Sequence, residues 1–268
     1  MKKHRKEQIY KMNIFKNLYN YRELLKTSVK KDIGGKYKHS FLGVLWSFVN
    51  PLLQIAVYAI IFPLIMRSNI EYYTVFMVCG LIPWQYFSTV LNRSSFVMIE
   101  NGNIIKKVYF PREILPLSLV TSETVNFLIT SLIMIAFTIA NGLGITKYIL
   151  LFPIILVIQY ILQLGISLIL SSVTVYFRDL QHFIGVLLQL FFYATPIVYS
   201  VETIPANYQW ILKLNPMTYI IEGYRDILYN QCMPDLKILG IILLIGIAVT
   251  VVGYLIFNRL QRRFAEEL

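Results

Sequence analysis

Residues 238–257 read ILGIILLIGIAVTVVGYLIF, twenty positions without one charged side chain. A helix of about 20 apolar residues covers the roughly 30 Å of hydrocarbon in a bilayer, so this stretch reads as a membrane crossing. Working outward from it, five more stretches have the same character: 41–66, 72–99, 114–139, 148–177 and 183–201. The first contains Pro51 and Pro63, and the second Gly80 and Pro83. Lipid tolerates such breaks where neighbouring helices take up the freed backbone groups. Polar residues along 183–201 mark that helix as packed against protein. Composition agrees: of 268 residues, 57% are hydrophobic and 15% charged, with mean hydropathy +0.61. A soluble domain this size cannot keep its exterior solvated with so few charges. The expected fold class is all-α integral membrane, with six transmembrane helices.

The formal net charge is +11, and its distribution orients the chain. With both termini cytoplasmic, twenty of the 25 Lys and Arg fall in cytoplasmic segments, leaving Arg67, Lys147, Lys213, Arg225 and Lys237 outside. That bias satisfies the positive-inside rule, and it places no demand for a nucleic-acid partner. The first forty residues are too basic for a secretory signal and lack its compact apolar core, so the first span should serve as the insertion signal. The segmentation is a cytoplasmic N-terminal segment over 1–40, a six-span domain over 41–258 and a cytoplasmic tail over 259–268. Cys79 and Cys232 are too few and too far apart for a disulfide framework or a metal site.

Catalytic chemistry is missing. Gly35-Lys36 lacks the upstream glycine and the following Ser or Thr of a phosphate cradle. His4, His39 and His182 have no acidic companions at ligand spacing, so no metal is expected. No nucleophile elbow occurs.

What the spans carry instead is polar stripes. At about 100° per residue, Gln181, Gly185, Gln189, Phe192, Thr195, Pro196 and Tyr199 share a third of the fifth span. Gln159, Gln163, Ser167, Ser171 and Thr174 share a face of the fourth, where interhelical hydrogen bonding is the simpler reading. Asn50, Gln54 and Tyr58 share a face of the first. Amides with aromatic rings suit a sugar, whose hydroxyls and apolar faces they match; helix–helix adhesion is the alternative. Glu123 falls inside the third span. A charge at mid-bilayer costs about 2.5–3.5 kcal/mol on insertion scales, so it should face the bundle, with Asn126 or Thr130 as expected partner.

Three segments lie between or before spans. Residues 12–31 place Ile14, Leu18, Tyr21, Leu25 and Val29 on one helical face, an amphipathic helix for the cytoplasmic membrane surface. It is either a lipid anchor or a docking element. Loop 100–116 alternates basic and bulky apolar residues, fit for another protein's groove or for the membrane interface. Segment 202–235, with Trp210, Pro216, Tyr219 and Tyr224, is too apolar for a loop and too broken to span; it reads as short helices re-entering the outer leaflet.

Six motifs occur in order: KYKHSFLGVLWSFVNPL at 36–52, GLIPWQYFS at 80–88, NIIKKVYFPREILP at 103–116, FRD at 177–179, TPIVY at 195–199 and NPM at 215–217. With them, over nearly its whole length, the chain resembles the permease subunits of type-2 ABC exporters for polysaccharides such as O-antigen, teichoic acid and rhamnose-rich wall polymers. The resemblance implies a homodimer in the cytoplasmic (inner) membrane, with two cytoplasmic ABC ATPase subunits, membrane lipids around it and a lipid-linked polysaccharide as cargo. ATP and Mg would bind the partner subunit, and no cofactor this chain. Segment 12–31 becomes an interface helix, and Asn103, Lys106, Lys107, Phe110 and Arg112 a coupling loop to the ATPase. Trp210, Pro216, Tyr219 and Tyr224 become outer gate helices. The channel would be lined by Asn50, Gln54, Tyr58, Gln189, Phe192, Thr195 and Tyr199. An ABC permease for lipids or drugs and an ion-coupled transporter are the rival readings.

Overall fold

The structure is a computed structural model that describes residues 19–36, 40–41, 43–66 and 70–268. Among the described residues it is helical throughout, with no strand. Twelve α-helices are named in chain order: α1 Arg22–Lys36, α2 Trp46–Met66, α3 Tyr73–Ser94, α4 Val97–Glu100, α5 Gly102–Lys107, α6 Ile114–Ala140, α7 Phe152–Val173, α8 Leu180–Tyr193, α9 Gln209–Lys213, α10 Pro216–Leu228, α11 Leu236–Leu260 and α12 Phe264–Glu267.

Five of them, α2, α3, α6, α7 and α11, are long and apolar enough to cross a membrane. The stretch read as a crossing over 183–201 is different. Its helix, α8, has 14 residues, about 21 Å at 1.5 Å per residue, short of a bilayer's roughly 30 Å. The cause is local. Pro196 has no N–H to give and disfavours helical geometry at Thr195, so the chain turns at 194–196. Ile197 and Val198 then pack, fully buried, outside any helix. Apolarity continues past Tyr193; the backbone does not. The proline breaks of α2 and α3, by contrast, interrupt neither helix.

The hub is α3, 78% of whose crossing window is buried, against 17% for α2 and 22% for α11 at the periphery. Around it pack α6, α7, α10 and α2. An aromatic run, Tyr86–Phe127–Phe152–Tyr224, threads these helices at centroid distances of 4.8, 6.0 and 5.2 Å. The polar face of α7 is entirely buried. Gln159 donates to the Pro83 carbonyl at 3.0 Å and accepts from the Tyr224 hydroxyl at 3.2 Å, while Ser94 donates to Ser167 at 2.7 Å. That face is adhesive, as interhelical hydrogen bonding in lipid requires.

The tightest helix pair is α7 with α11. A Cβ on Gly165 would lie 2.5 Å from the Thr250 backbone nitrogen, and one on Gly253 would lie 2.5 Å from the Gly165 carbonyl oxygen. Only glycine permits this approach, the small-residue contact typical of membrane helices.

Of segment 12–31, expected as an amphipathic helix, the structure describes the part from residue 19 on, which leads into and includes most of α1; Ile14 and Leu18 lie outside the described residues. Tyr21, Leu25, Val29 and Ile33 are its half-buried face, seated on α6, while Lys26, Lys30 and Lys31 are exposed.

Candidate functional site

A cavity of about 590 Å³ lies among α2, α3, α6 and α8. Asn50, Gln54 and Tyr58 reach it from α2, with Gly185, Gln189 and Phe192 from α8. These residues fall on one face of each helix because their spacings of three and four return to the same side. Two of the residues expected to line the channel, Thr195 and Tyr199, lie elsewhere. Thr195 is fully buried, donating to Phe191 O at 2.6 Å and accepting from Asn215 Nδ2 at 2.7 Å. Tyr199 donates to Tyr193 O at 2.7 Å and does not line the cavity. Both follow the end of α8, where helical periodicity no longer applies.

Sequence reasoning missed the third wall. Trp84, Gln85, Ser88, Thr89 and Asn92 from α3, with Glu123 and Asn126 from α6, complete the lining. Their signal was present: Gln85, Ser88, Thr89 and Asn92 recur at intervals of three, four and seven, a helical face. Gln85 Nε2 donates to Gln54 Oε1 at 2.6 Å, tying α3 to α2, and Ser47 donates to Asn126 Oδ1 at 2.9 Å. Tyr58 packs edge-on against Phe62 at 5.4 Å and lies 6.0 Å from Phe192. Glu123 is paired by Arg93 of α3 at 2.5 Å. Arg93 lies within the stretch 72–99 read as the second crossing, and its pairing with Glu123 is a contact between helices that the sequence pattern did not indicate. Helix α3 extends to Ser94 and carries Arg93 within it.

The interior therefore presents amides, hydroxyls and aromatic rings, which hydrogen-bond and stack on a neutral polar polymer. Among the described residues no cluster of His, Cys, Asp or Glu is placed to hold a metal ion.

Asp32 of α1 lies near Arg93, Glu123 and Ser122. Burial pushes its carboxyl above the ordinary value of 3.8, while Arg93, Lys31 and Ser122 pull it down and Glu123 adds to the rise. Helix α1 is thereby linked to the charged edge of the cavity.

The loop read as a coupling element over 100–116 folds as the short helix α5 followed by a non-helical stretch over 108–113. Asn103, Ile104, Lys106, Lys107, Val108 and Tyr109 are exposed. Phe110, expected among them, is 7% exposed and faces the protein's own core. Arg112 is half-buried and donates to the Gln261 carbonyl. The apolar outward residues are Ile104, Val108 and Tyr109.

Opposite, two helices stand where short helices were expected. Asn215 caps α10 by accepting from Met217 N at 3.0 Å, and Pro216 occupies its first turn, the usual chemistry of a helix start. Trp210 on α9 is exposed, Tyr219 half-buried and Tyr224 fully buried in the aromatic run. Arg225 is buried, donating to Phe76 O at 3.2 Å and Ile197 O at 2.7 Å, its guanidinium 3.6 Å above the Phe76 ring. It fastens α10 to α3 and to the turn after α8.

Residues 23–229 match the family model for the ABC-2 type transporter. The chain is 40% identical over 247 residues to the O-antigen export system permease protein RfbA of Klebsiella pneumoniae, covering 92% of this chain and 95% of that one. It is 34% identical over 259 residues to RfbA of Myxococcus xanthus, covering 96% and 100%. To the polysialic acid transport protein KpsM of Escherichia coli it is 26% identical over 200 residues, covering 72% and 74%.

Proposed function

The chain belongs to the ABC-2 type transporter family and serves as the membrane-spanning subunit of an ABC exporter of polysaccharide, and from that premise we propose that two copies enclose the conduit. ATP hydrolysis belongs to a separate subunit, and this chain is a permease, not an enzyme. One observation carries the dimer: Asn50, Gln54 and Gln189 line the cavity yet are exposed on membrane-level helices. Amides facing hydrocarbon would be left with hydrogen-bonding capacity unmet. A second copy laid over α2 and α8 covers them and leaves a water-filled corridor between the protomers.

In this reading, α5 and the residues after it, with Ile104, Lys106, Lys107, Val108 and Tyr109 outward, seat in a cytoplasmic ATPase that carries ATP and Mg. Helix α1 lies on the inner face of the cytoplasmic membrane, with both termini cytoplasmic. Helices α9 and α10 re-enter the outer leaflet as a gate, their exposed Trp210 and Leu214 placed at an apolar boundary, and α8 with the turn after it completes a sixth crossing. The cargo is a lipid-linked polysaccharide whose sugars slide past Tyr58, Phe192, Trp84 and the amides. Closure of the paired ATPases pushes the coupling segments and widens the corridor.

The test is reconstitution. Permease and ATPase, purified together into vesicles, should move the glycan only with both subunits and ATP present. Transport by the permease alone would overturn the assignment. Replacing Ile104, Lys106 and Lys107 together should abolish ATPase binding; retained binding with full export removes α5 from the coupling role.

A further inference from the structure

Helix α5 is six residues long, too short to hold itself folded in water. Yet it is the segment through which the ATPase stroke is read to enter. Something must stiffen it.

The residues after α11 are placed to do so. Phe264 has no exposed surface and lies 5.6 Å from the Phe257 ring and 6.3 Å from Tyr176. Its ring also carries the Arg112 guanidinium at 5.7 Å. Arg112 donates to the Gln261 carbonyl, Tyr176 to Leu260 O at 2.8 Å, and Arg178 to Glu267 O at 3.3 Å. The last carbonyls of a helix have no intrahelical partners, so the end of α11 and the turns after it are captured by side chains from two other loops. Helix α12 packs on α5, with Leu268 Cβ 3.7 Å from where a Cβ on Gly102 would lie.

We propose that segment 261–268 is a strut that locks the coupling segment to α7 and α11, with Arg112 and Phe264 as its positioning residues. Because α7 and α11 are themselves joined at Gly165 and Gly253, a push on α5 moves the three as one body. Arg112 then faces its own protein, and the ATPase-facing residues are Ile104, Lys106 and Lys107. This rests on the reading of α5 as the coupling segment.

A disulfide tests the rigid body directly. Cβ atoms about 3.5–4.5 Å apart suit a bridge, so Gly102→Cys with Leu268→Cys, on a Cys232→Ser background, should cross-link on oxidation. The oxidised complex should export at the reduced rate. Phe264→Ala should bind the ATPase and let it hydrolyse ATP, but move about tenfold less glycan per ATP, a usual size for coupling between two sites. Phe264→Leu should restore most of the yield. Loss of export on cross-linking, recovered by reduction, overturns the strut. So does wild-type yield per ATP in Phe264→Ala; if that variant fails to fold, Arg112→Met takes its place under the same criterion. Failure of the coupling reading itself shows separately, as ATPase binding that ignores changes at Ile104, Lys106 and Lys107.

Discussion

Arg93 of α3 donates a 2.5 Å hydrogen bond to the carboxylate of Glu123 on α6, closing a charge pair at the edge of an otherwise neutral cavity. The Glu123 side chain is 3% exposed and that of Arg93 35%. An acid so paired is a structural element first.

Breaking a buried pair costs about 3–5 kcal/mol, and more of that cost is the stranded charge than the lost attraction. Arg93 keeps some solvent, so Glu123→Ala is expected to cost about 2 kcal/mol, read as a lowered melting temperature in detergent. Arg93→Met with Glu123→Leu should cost less than Glu123→Ala alone. Strict additivity in the double-mutant cycle would show that the two side chains do not interact.

Close approach makes the α7–α11 contact intolerant of size. Gly253→Val inserts carbon against a backbone oxygen that cannot move aside, and overpacking costs about 1–3 kcal/mol or more. Gly185 has open space where its Cβ would lie, so Gly185→Ala should leave the melting temperature within a degree or two of wild type, about the size expected of a surface change. Equal effects at the two glycines would contradict the packing.

Gln163 lies fully buried on α7, and among the described residues neither its amide nitrogen nor its oxygen has a hydrogen-bond partner. A buried unsatisfied polar group costs about 1–3 kcal/mol. Gln163→Leu is therefore expected to raise thermal stability by that order while leaving glycan export unchanged. A drop in stability would mean that the amide is satisfied, for instance by a buried water.

Much of this was legible because period and composition speak loudly in lipid. The crossings at α2, α3, α6, α7 and α11 follow from apolar length alone. The stripe Asn50, Gln54, Tyr58 pointed to the cavity because α2 is one unbroken helix. Reading failed where backbone departed from periodicity. Thr195 and Tyr199 were projected onto a helix that Pro196 had already ended. The composition of loop 100–116 suits an outward Phe110, but the ring joins the protein's own core, and burial of one loop residue depends on neighbours distant in sequence. Arg93 lies inside the stretch 72–99 read as a crossing, but its pairing with Glu123, thirty positions on, depends on how α3 packs on α6, which no local pattern shows.

Asp32 links pH to the docking of α1. Its carboxyl titrates above the ordinary 3.8, chiefly through burial. An acid raised in the folded state binds more protons there than when released, so docking is favoured at low pH and weakens as pH rises through the raised value. Asp32→Asn should then hold α1 more firmly than wild type near neutral pH, with the difference vanishing below 3.8, where both forms are neutral. Hydrogen exchange across Arg22–Lys36, corrected for intrinsic rates, reads this. Weaker protection in Asp32→Asn at neutral pH would mean that attraction to Arg93 outweighs the burial.

The cavity makes the sharpest demand on function, because its two kinds of group should fail differently. An amide contributes direction: each hydrogen bond is worth about 0.5–1.5 kcal/mol, so Gln54→Leu or Gln189→Leu should slow export a few-fold and shift preference among glycans of different hydroxyl pattern. A ring contributes surface that tolerates sliding. Tyr58 is held by Phe62 and Phe192, and its value lies in the ring more than the hydroxyl. Tyr58→Phe should therefore export within about threefold of wild type, while Tyr58→Ala, losing area and the ring contacts with Phe62 and Phe192, should fall about tenfold or more, the equivalent of about 1.4 kcal/mol. ATPase binding, measured by co-purification, should be the same in all four variants, since none lies near α5. If Tyr58→Ala exports as wild type, sugars do not travel along this wall.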